Sequence, residues 1–180
     1  MENEKMSAGR VALNYGLILG VVFIVYSLIL YLVDVPIESL QYFNWVSYVF
    51  LIIAMVLGIT NYRDKYAGGL ITYGKSFSTG FLIGLYASII GAIYSFIYFS
   101  YINPGIVQEM MDARIIEMME QNPNMNDEQL EMAQAWMERF MSPVMMAVMG
   151  LIVNVIASLI ISLVVSIFTQ RKDKSLEGAA

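Results

Sequence analysis

Four long runs without a single Asp, Glu, Lys or Arg constrain this chain more than any other feature. They cover about 11–33 (VALNYGLILGVVFIVYSLILYLV), 43–60 (FNWVSYVFLIIAMVLGIT), 77–102 and 144–168. At 1.5 Å per residue, each is close to the roughly 20 residues that cross a ~30 Å hydrocarbon core. A lipid-exposed backbone has no water to bond, and a helix satisfies its own N–H and C=O groups. The expected fold class is therefore all-α: an integral membrane four-helix bundle with an extracytoplasmic amphipathic helical hairpin between spans three and four. The 180 residues read as a single membrane domain, 1–180, with the hairpin at about 104–142 and a cytoplasmic tail at 169–180. Composition agrees: 14% of residues are charged, against about 25% in soluble domains. The first run does not read as a secretory signal. It is too long, and Asp34-Val35-Pro36 follows it rather than a small-residue cleavage site.

Lys and Arg positions set the expected orientation. Lys5 and Arg10 precede the first span; Arg63, Lys65 and Lys75 lie between the second and third; Arg171, Lys172 and Lys174 follow the fourth. Only Arg114 and Arg139 fall on the other side, together with ten of the fifteen carboxylates. Both termini and the 61–76 loop are expected in the cytoplasm, and the 34–42 turn and the 103–143 segment outside. Tyr31, Tyr42, Trp45, Tyr62, Tyr98 and Tyr101 sit near span ends, where amphipathic rings prefer the membrane interface.

Lipid tails are as apolar as the helices, so packing inside a bilayer favours small residues that let backbones approach. Gly16 and Gly20, Ala54 and Gly58, and the row Gly80, Gly84, Ser88, Ala92 supply such faces. A spacing of four stacks each set on one side of its helix. The fourth span carries Gly150, Asn154, Ser158, Ser162 and Ser166. The polar members, Asn154, Ser158, Ser162 and Ser166, are the candidate intramembrane row. They read as interhelical glue, with Asn154 and Asn14 as hydrogen-bonding partners, or alternatively as a narrow hydrophilic path or lipid groove.

The 103–143 segment is too patterned for a slack linker. Asn103-Pro104-Gly105 stops the third span. A helix follows with Val107, Met111, Ile115, Met118 and Met119 on one stripe. After QNPNMN, Asn126 and Gln129 suggest a capping box that opens a second helix with Leu130, Ala133, Met137 and Phe140 on one face. That helix can continue into span four through Ser142-Pro143, with a kink or break at the proline. Eleven of the fourteen methionines fall between Met110 and Met149. Thioethers suit Cu(I) and adaptable partner surfaces, but at helical core spacing they most simply fill a core.

Residues 69–76, GLITYGKS, match the G-x-x-x-x-G-K-[ST] string of nucleotide-binding loops. Such a loop needs a buried strand before it and a sheet around it; here NYRDKYAG precedes it, directly after a span. No nucleotide site is expected. Gly68 and Gly69 read as a turn, with Thr72 or Ser76 capping the third helix. Histidine and cysteine are both absent, which removes the commonest general base, the commonest metal ligand and any thiol chemistry. No catalytic residue, metal ligand or cofactor site emerges, and no basic patch suits nucleic acid. The chain is expected not to be an enzyme.

Four spans, the stretch YRDKYAGGLITYGKSFSTG entering span three, and the Pro104 exit into an acidic, Met-rich hairpin carry a resemblance over the whole chain. The sequence resembles the DUF4199 family of small membrane proteins found mainly in Bacteroidetes. The resemblance implies a Gram-negative inner-membrane location and supplies no activity. It marks Arg63, Asp64, Gly68, Gly69, Gly74 and Gly80 as the candidate loop signature, with turn geometry and close packing as the simpler role. The leading functional expectation is a non-enzymatic accessory or scaffold protein whose outer hairpin meets a protein partner or the lipid surface. The alternative is a small transporter, channel or lipid-handling protein that uses the row on span four. Membrane lipids, and a second copy of the chain through the small-residue faces, complete the expected partners.

Overall fold

A computed structural model describes residues 6–171, apart from the side chains of Glu38, Leu40 and Gln41. Lys5, Lys172, Lys174 and the tail beyond Arg171 lie outside the described residues. Six α-helices run in order: α1 Ala8–Leu32, α2 Ile37–Tyr66, α3 Tyr73–Ile97, α4 Gly105–Gln121, α5 Asp127–Phe140 and α6 Pro143–Thr169. A π-helical turn, Tyr98–Ile102, extends α3. Four helical stretches, Ala8–Leu32, Tyr42–Tyr66, Tyr73–Ile102 and Pro143–Thr169, are long and apolar enough to cross a membrane.

Sequence explains most boundaries. Ser7 caps α1 by accepting the Arg10 N–H at 3.3 Å, and Thr72 caps α3 by accepting from Lys75 at 3.4 Å. Asn126 and Gln129 form the reciprocal capping box of α5, at 2.8 and 3.2 Å. Pro143 takes the first-turn position of α6, where its missing N–H costs nothing. The chain therefore breaks at 141–142 rather than kinking through the proline. α2 outruns its apolar stretch at both ends, starting directly after Pro36 and continuing through Arg63-Asp64-Lys65. NYRDKY contains no helix breaker, so the helix stops only at Gly68 and Gly69, whose φ values are +64° and +82°. The loop between α2 and α3 shrinks to 67–72.

Small hydroxyl residues share the interior with an apolar core, and the outer surface is apolar, unlike that of a soluble protein. Ser76, Thr79, Ser158, Ser162 and Ser166 are buried, while Ile18, Val21, Ile93, Ile160 and Phe168 are exposed. Large apolar side chains face outward because lipid surrounds them. This is a multi-pass membrane protein.

α3 is the hub, packed along α6 on one side and α1 on the other, with α2 laid across them. The small-residue faces meet here. A Cβ on Gly16 would stand 2.6 Å from Tyr86 Cβ and 2.9 Å from the Ile83 carbonyl oxygen. One on Gly84 would stand 2.5 Å from Ser158 Cβ, and one on Gly58 would meet Ile83 Cδ1 at 2.5 Å. Met55, Ile59, Ile83 and Ala87 form the apolar centre of this contact. Between α3 and α6, α4 and α5 touch each other lightly. Met111 is buried on α4, and Val107, Ile115 and Met118 are half-buried beside it; Met119 is 49% exposed, off the expected stripe.

Gly84→Ala should destabilise the bundle by about 1–3 kcal/mol, because Ser158 is backed by packed helix. Gly91, with nothing within 4 Å of its would-be Cβ, should accept alanine with a gain of about 0.5–1 kcal/mol. Reversible unfolding in mixed micelles measures both; equal effects would contradict the packing described.

Candidate functional site

The two ends of the bundle differ. At the end carrying Arg10, Arg63, Lys65, Lys75 and Arg171, the helices are stitched together. Arg63 lies on the last turn of α2 and donates Nη1–H to the Thr169 carbonyl, the last of α6, at 3.1 Å. Asp64 holds the guanidinium in place through two bonds of 2.7 and 3.1 Å. A cation on those terminal carbonyls also favours the negative end of the α6 dipole. The Ile71 and Arg171 backbones exchange two hydrogen bonds of 2.9 Å. Ser76 Oγ lies 2.6 Å from Thr169 Oγ1. Thr169 Oγ1 spends its proton on the Val165 carbonyl, so Ser76 is the donor. Tyr73 donates its hydroxyl to the Leu163 carbonyl.

Four of the six residues of the candidate loop signature fall in this latch. Arg63 and Asp64 form it. Gly68 and Gly69 turn the chain into it, with the Gly69 N–H reaching the Arg63 carbonyl at 2.8 Å. Gly80 packs tightly against Ile59 and Ser162. Gly74 has open space around it, and no contact explains it. Among the described residues the segment has no strand: the Gly69 and Ile71 N–H groups bond the Arg63 and Arg171 carbonyls and Thr72 caps α3, a turn entering a helix rather than the strand–loop–helix that the nucleotide-loop string requires.

The row on α6 divides. Ser158, Ser162 and Ser166 are buried against α3. Ser162 and Ser166 donate to carbonyls of their own helix, Leu159 and Ser162. Among the described residues no buried side-chain N or O lacks a partner. Asn154 is exposed and donates to Gly150 on its own helix. The expected pairing with Asn14 does not form: Asn14 is exposed on α1, which packs on the far side of α3 from α6. A side-chain amide one turn from a carbonyl of its own helix satisfies itself locally, without reaching a neighbour.

At the opposite end the helices part around a cavity of about 880 Å³. Each spanning helix lines it from mid-length to its end: Phe23 to Tyr31 on α1, Leu51 back to Ile37 on α2, Gly91 to Tyr98 on α3, and Asn154 back to Ala147 on α6. Phe23 to Asp34 spans about 16 Å at helical rise, roughly half a hydrocarbon core. Ile106, Glu109 and Met110 of α4 border the mouth. Gly91 and Gly150 line it with nothing near their would-be Cβ atoms.

Aromatic rings form much of the wall. Tyr31 meets Tyr98 edge-on at 6.1 Å, and Tyr98 lies 5.9 Å from Tyr94 and 5.4 Å from Phe99. Tyr94 donates to Ser27 at 3.3 Å, and Tyr26 to the Phe43 carbonyl at 3.0 Å. The π-helical turn begins at Tyr98, a kind of irregularity frequent at functional sites. Tyr98, expected near the interface, is half-buried in the cavity wall, whereas Tyr42, Trp45 and Tyr101 are 68–74% exposed. A wide depression of about 790 Å³ also lies around Asn122–Met125. Among the described residues no group of three or more Asp and Glu side chains is placed to hold a metal ion.

Residues 14–171 match a family described as a protein of unknown function, DUF4199. The chain belongs to this family. Neither the curated proteins nor the solved structures gave a match. The matched span covers the residues of both the latch and the cavity, and the family description carries no activity.

Arg63→Ala should cost about 1–3 kcal/mol, since it frees a charge-assisted bond to a helix end. Amide exchange should speed up at 67–72 and 166–171 while residues 91–98 keep their protection. Uniform loosening would deny the latch its local role.

Proposed function

We propose that the protein binds a small amphiphilic molecule in the cavity, as a non-enzymatic lipid-handling or ligand-sensing membrane protein. The cavity itself carries this reading. Its volume falls within the ~300–1,000 Å³ of small-ligand sites, and it combines an apolar depth with hydroxyl and amide groups. Ser162 and Ser166 are satisfied within their own helix and Ser158 is packed against Gly84, so of the polar row Asn154 is the member that lines the cavity. The absence of charge along the packed half of the spans favours binding over ion-coupled transport.

In this reading the latch is cytoplasmic and the cavity opens on the outer half of a bacterial inner membrane, with both termini inside. The basic residues at the latched end support that orientation. Since the chain has no cysteine, single introduced cysteines report without background. Lys65→Cys should react with an impermeant maleimide only after the cells are opened, and Asn124→Cys in intact spheroplasts. The reverse pattern would invert the assignment.

A second reading, the accessory one, rests on α5. Met132, Trp136 and Phe140 lie four residues apart and are 55%, 62% and 46% exposed. Trp136 and Phe140 stack at 5.4 Å. This stripe suits the membrane surface or a protein partner. In a Trp45→Phe background, quenching of Trp136 by brominated lipid favours the surface; a stoichiometric partner crosslinked from Glu131 favours the accessory role.

The cavity reading is tested by purifying the protein in mild detergent and profiling co-purified amphiphiles by mass spectrometry. Gly91→Phe fills open space and should fold normally. Wild type should carry a selectively enriched molecule that falls at least about tenfold in the filled variant. Identical profiles would defeat the proposal.

A further inference from the structure

The charges around the cavity are of one sign. Asp34 and Glu109 line its mouth, and no Lys or Arg does among the described residues. Five tyrosines, Tyr26, Tyr31, Tyr48, Tyr94 and Tyr98, line the walls. Tyrosine faces attract cations, most strongly where water is excluded.

Asp34 has a further property. The Asp34 N–H bonds the Tyr31 carbonyl at 3.1 Å and the Val35 N–H bonds the Leu30 carbonyl at 3.3 Å. That pair of bonds is the Schellman ending of α1, with Asp34 at its left-handed position, φ +53°. Glycine fits that position at lower cost. A carboxylate there also sits against the negative end of the α1 dipole. Asp34 is thus unfavourable twice over for folding, by conformation and by electrostatics. Asp34 stands at the mouth of a cavity that no Lys or Arg lines among the described residues.

We infer that the cavity selects a single-chain amphiphile with an ammonium head group, held by Asp34, Glu109 and the tyrosine faces. The inference rests on the cavity reading above and names its ligand class. The alkyl tail runs inward toward the apolar side chains Phe23, Leu51 and Val153, with Asn154 the polar group beside Val153. A diacyl phospholipid amine is disfavoured as the source, because its phosphate would meet two carboxylates and no base.

The test uses the full chain in phosphatidylglycerol nanodiscs and three labelled probes of equal chain length: dodecyltrimethylammonium, dodecanol and dodecyl sulfate. Site binding is the part lost in Gly91→Phe discs, which removes partition into the bilayer. The ammonium should bind at least about tenfold tighter than the other two. Asp34→Asn with Glu109→Gln should reduce it to the level of the alcohol. Asp34→Gly should weaken ammonium binding while raising thermal stability, a combination that a merely structural role for Asp34 would not give. Equal binding of ammonium and alcohol overturns the cation inference and leaves the cavity reading standing. No Gly91→Phe-sensitive binding of any probe overturns both. Displacement of the ammonium by added phosphatidylethanolamine overturns the choice of a free single-chain amine.

Discussion

The close approach of α3 to its neighbours is the contact on which the rest of the structure depends. Inside a bilayer, burying apolar surface against another helix gains little over burying it in lipid. Cohesion has to come from short-range packing and from polar groups that find partners. Gly84 against Ser158, Gly80 against Ser162 and Gly16 against Tyr86 supply the first. The serine hydroxyls, returned to helix carbonyls, make the second possible without leaving a buried donor unpaired. At the same end the latch adds Arg63 on the α6 terminus and the two-way bridge between Ile71 and Arg171.

The cavity follows from where that packing stops. Along α3 the residues packed against α6 are small, Gly80 on Ser162 and Gly84 on Ser158; beyond Gly91 the helix carries Tyr94, Tyr98 and Phe99 into the cavity wall. Tyr26 on α1 and Tyr48 on α2 join them in that wall. Rings at the same depth on several helices hold their axes apart, as rigid side chains cannot interdigitate as glycine and serine do. The molecule behaves as a wedge, close-packed at the basic end and splayed at the other. The hydroxyls of Tyr26 and Tyr94 tie the splayed helices at fixed points without closing the gap.

Much of the frame was legible in the sequence. Uncharged runs gave the four spans, residues four apart gave the helix faces, and Asn126 with Gln129 gave the α5 start. Family resemblance picked out the loop that became the latch. Its partner at the α6 terminus was not legible, because Thr169 is joined to Arg63 only by the fold. The site was less visible still. Periodicity assigns a row to a face but does not say where two faces separate, so Gly150 and Asn154 looked equivalent to Ser158 and Ser162. Tyr98 was placed only by its nearness to a span end, and the π-helical turn that begins there has no sequence break to announce it. Asp34 looked like an ordinary turn residue, since handedness does not appear in composition.

Asp34 also shows how fold and site are linked. The Schellman ending of α1 fixes the backbone that aims this residue, and the splay of α2 opens the space beside it. A glycine in its place would keep the turn and lose the charge; a tightly packed α2 would keep the charge and bury it unpaired, at a cost of several kcal/mol. The carboxylate is therefore tolerable only because the bundle is open where it stands. Openness in turn exposes apolar depth around Leu51 and Val153 to whatever enters. On the proposed reading, a negative mouth and an apolar floor sort ligands by head group before holding them by tail.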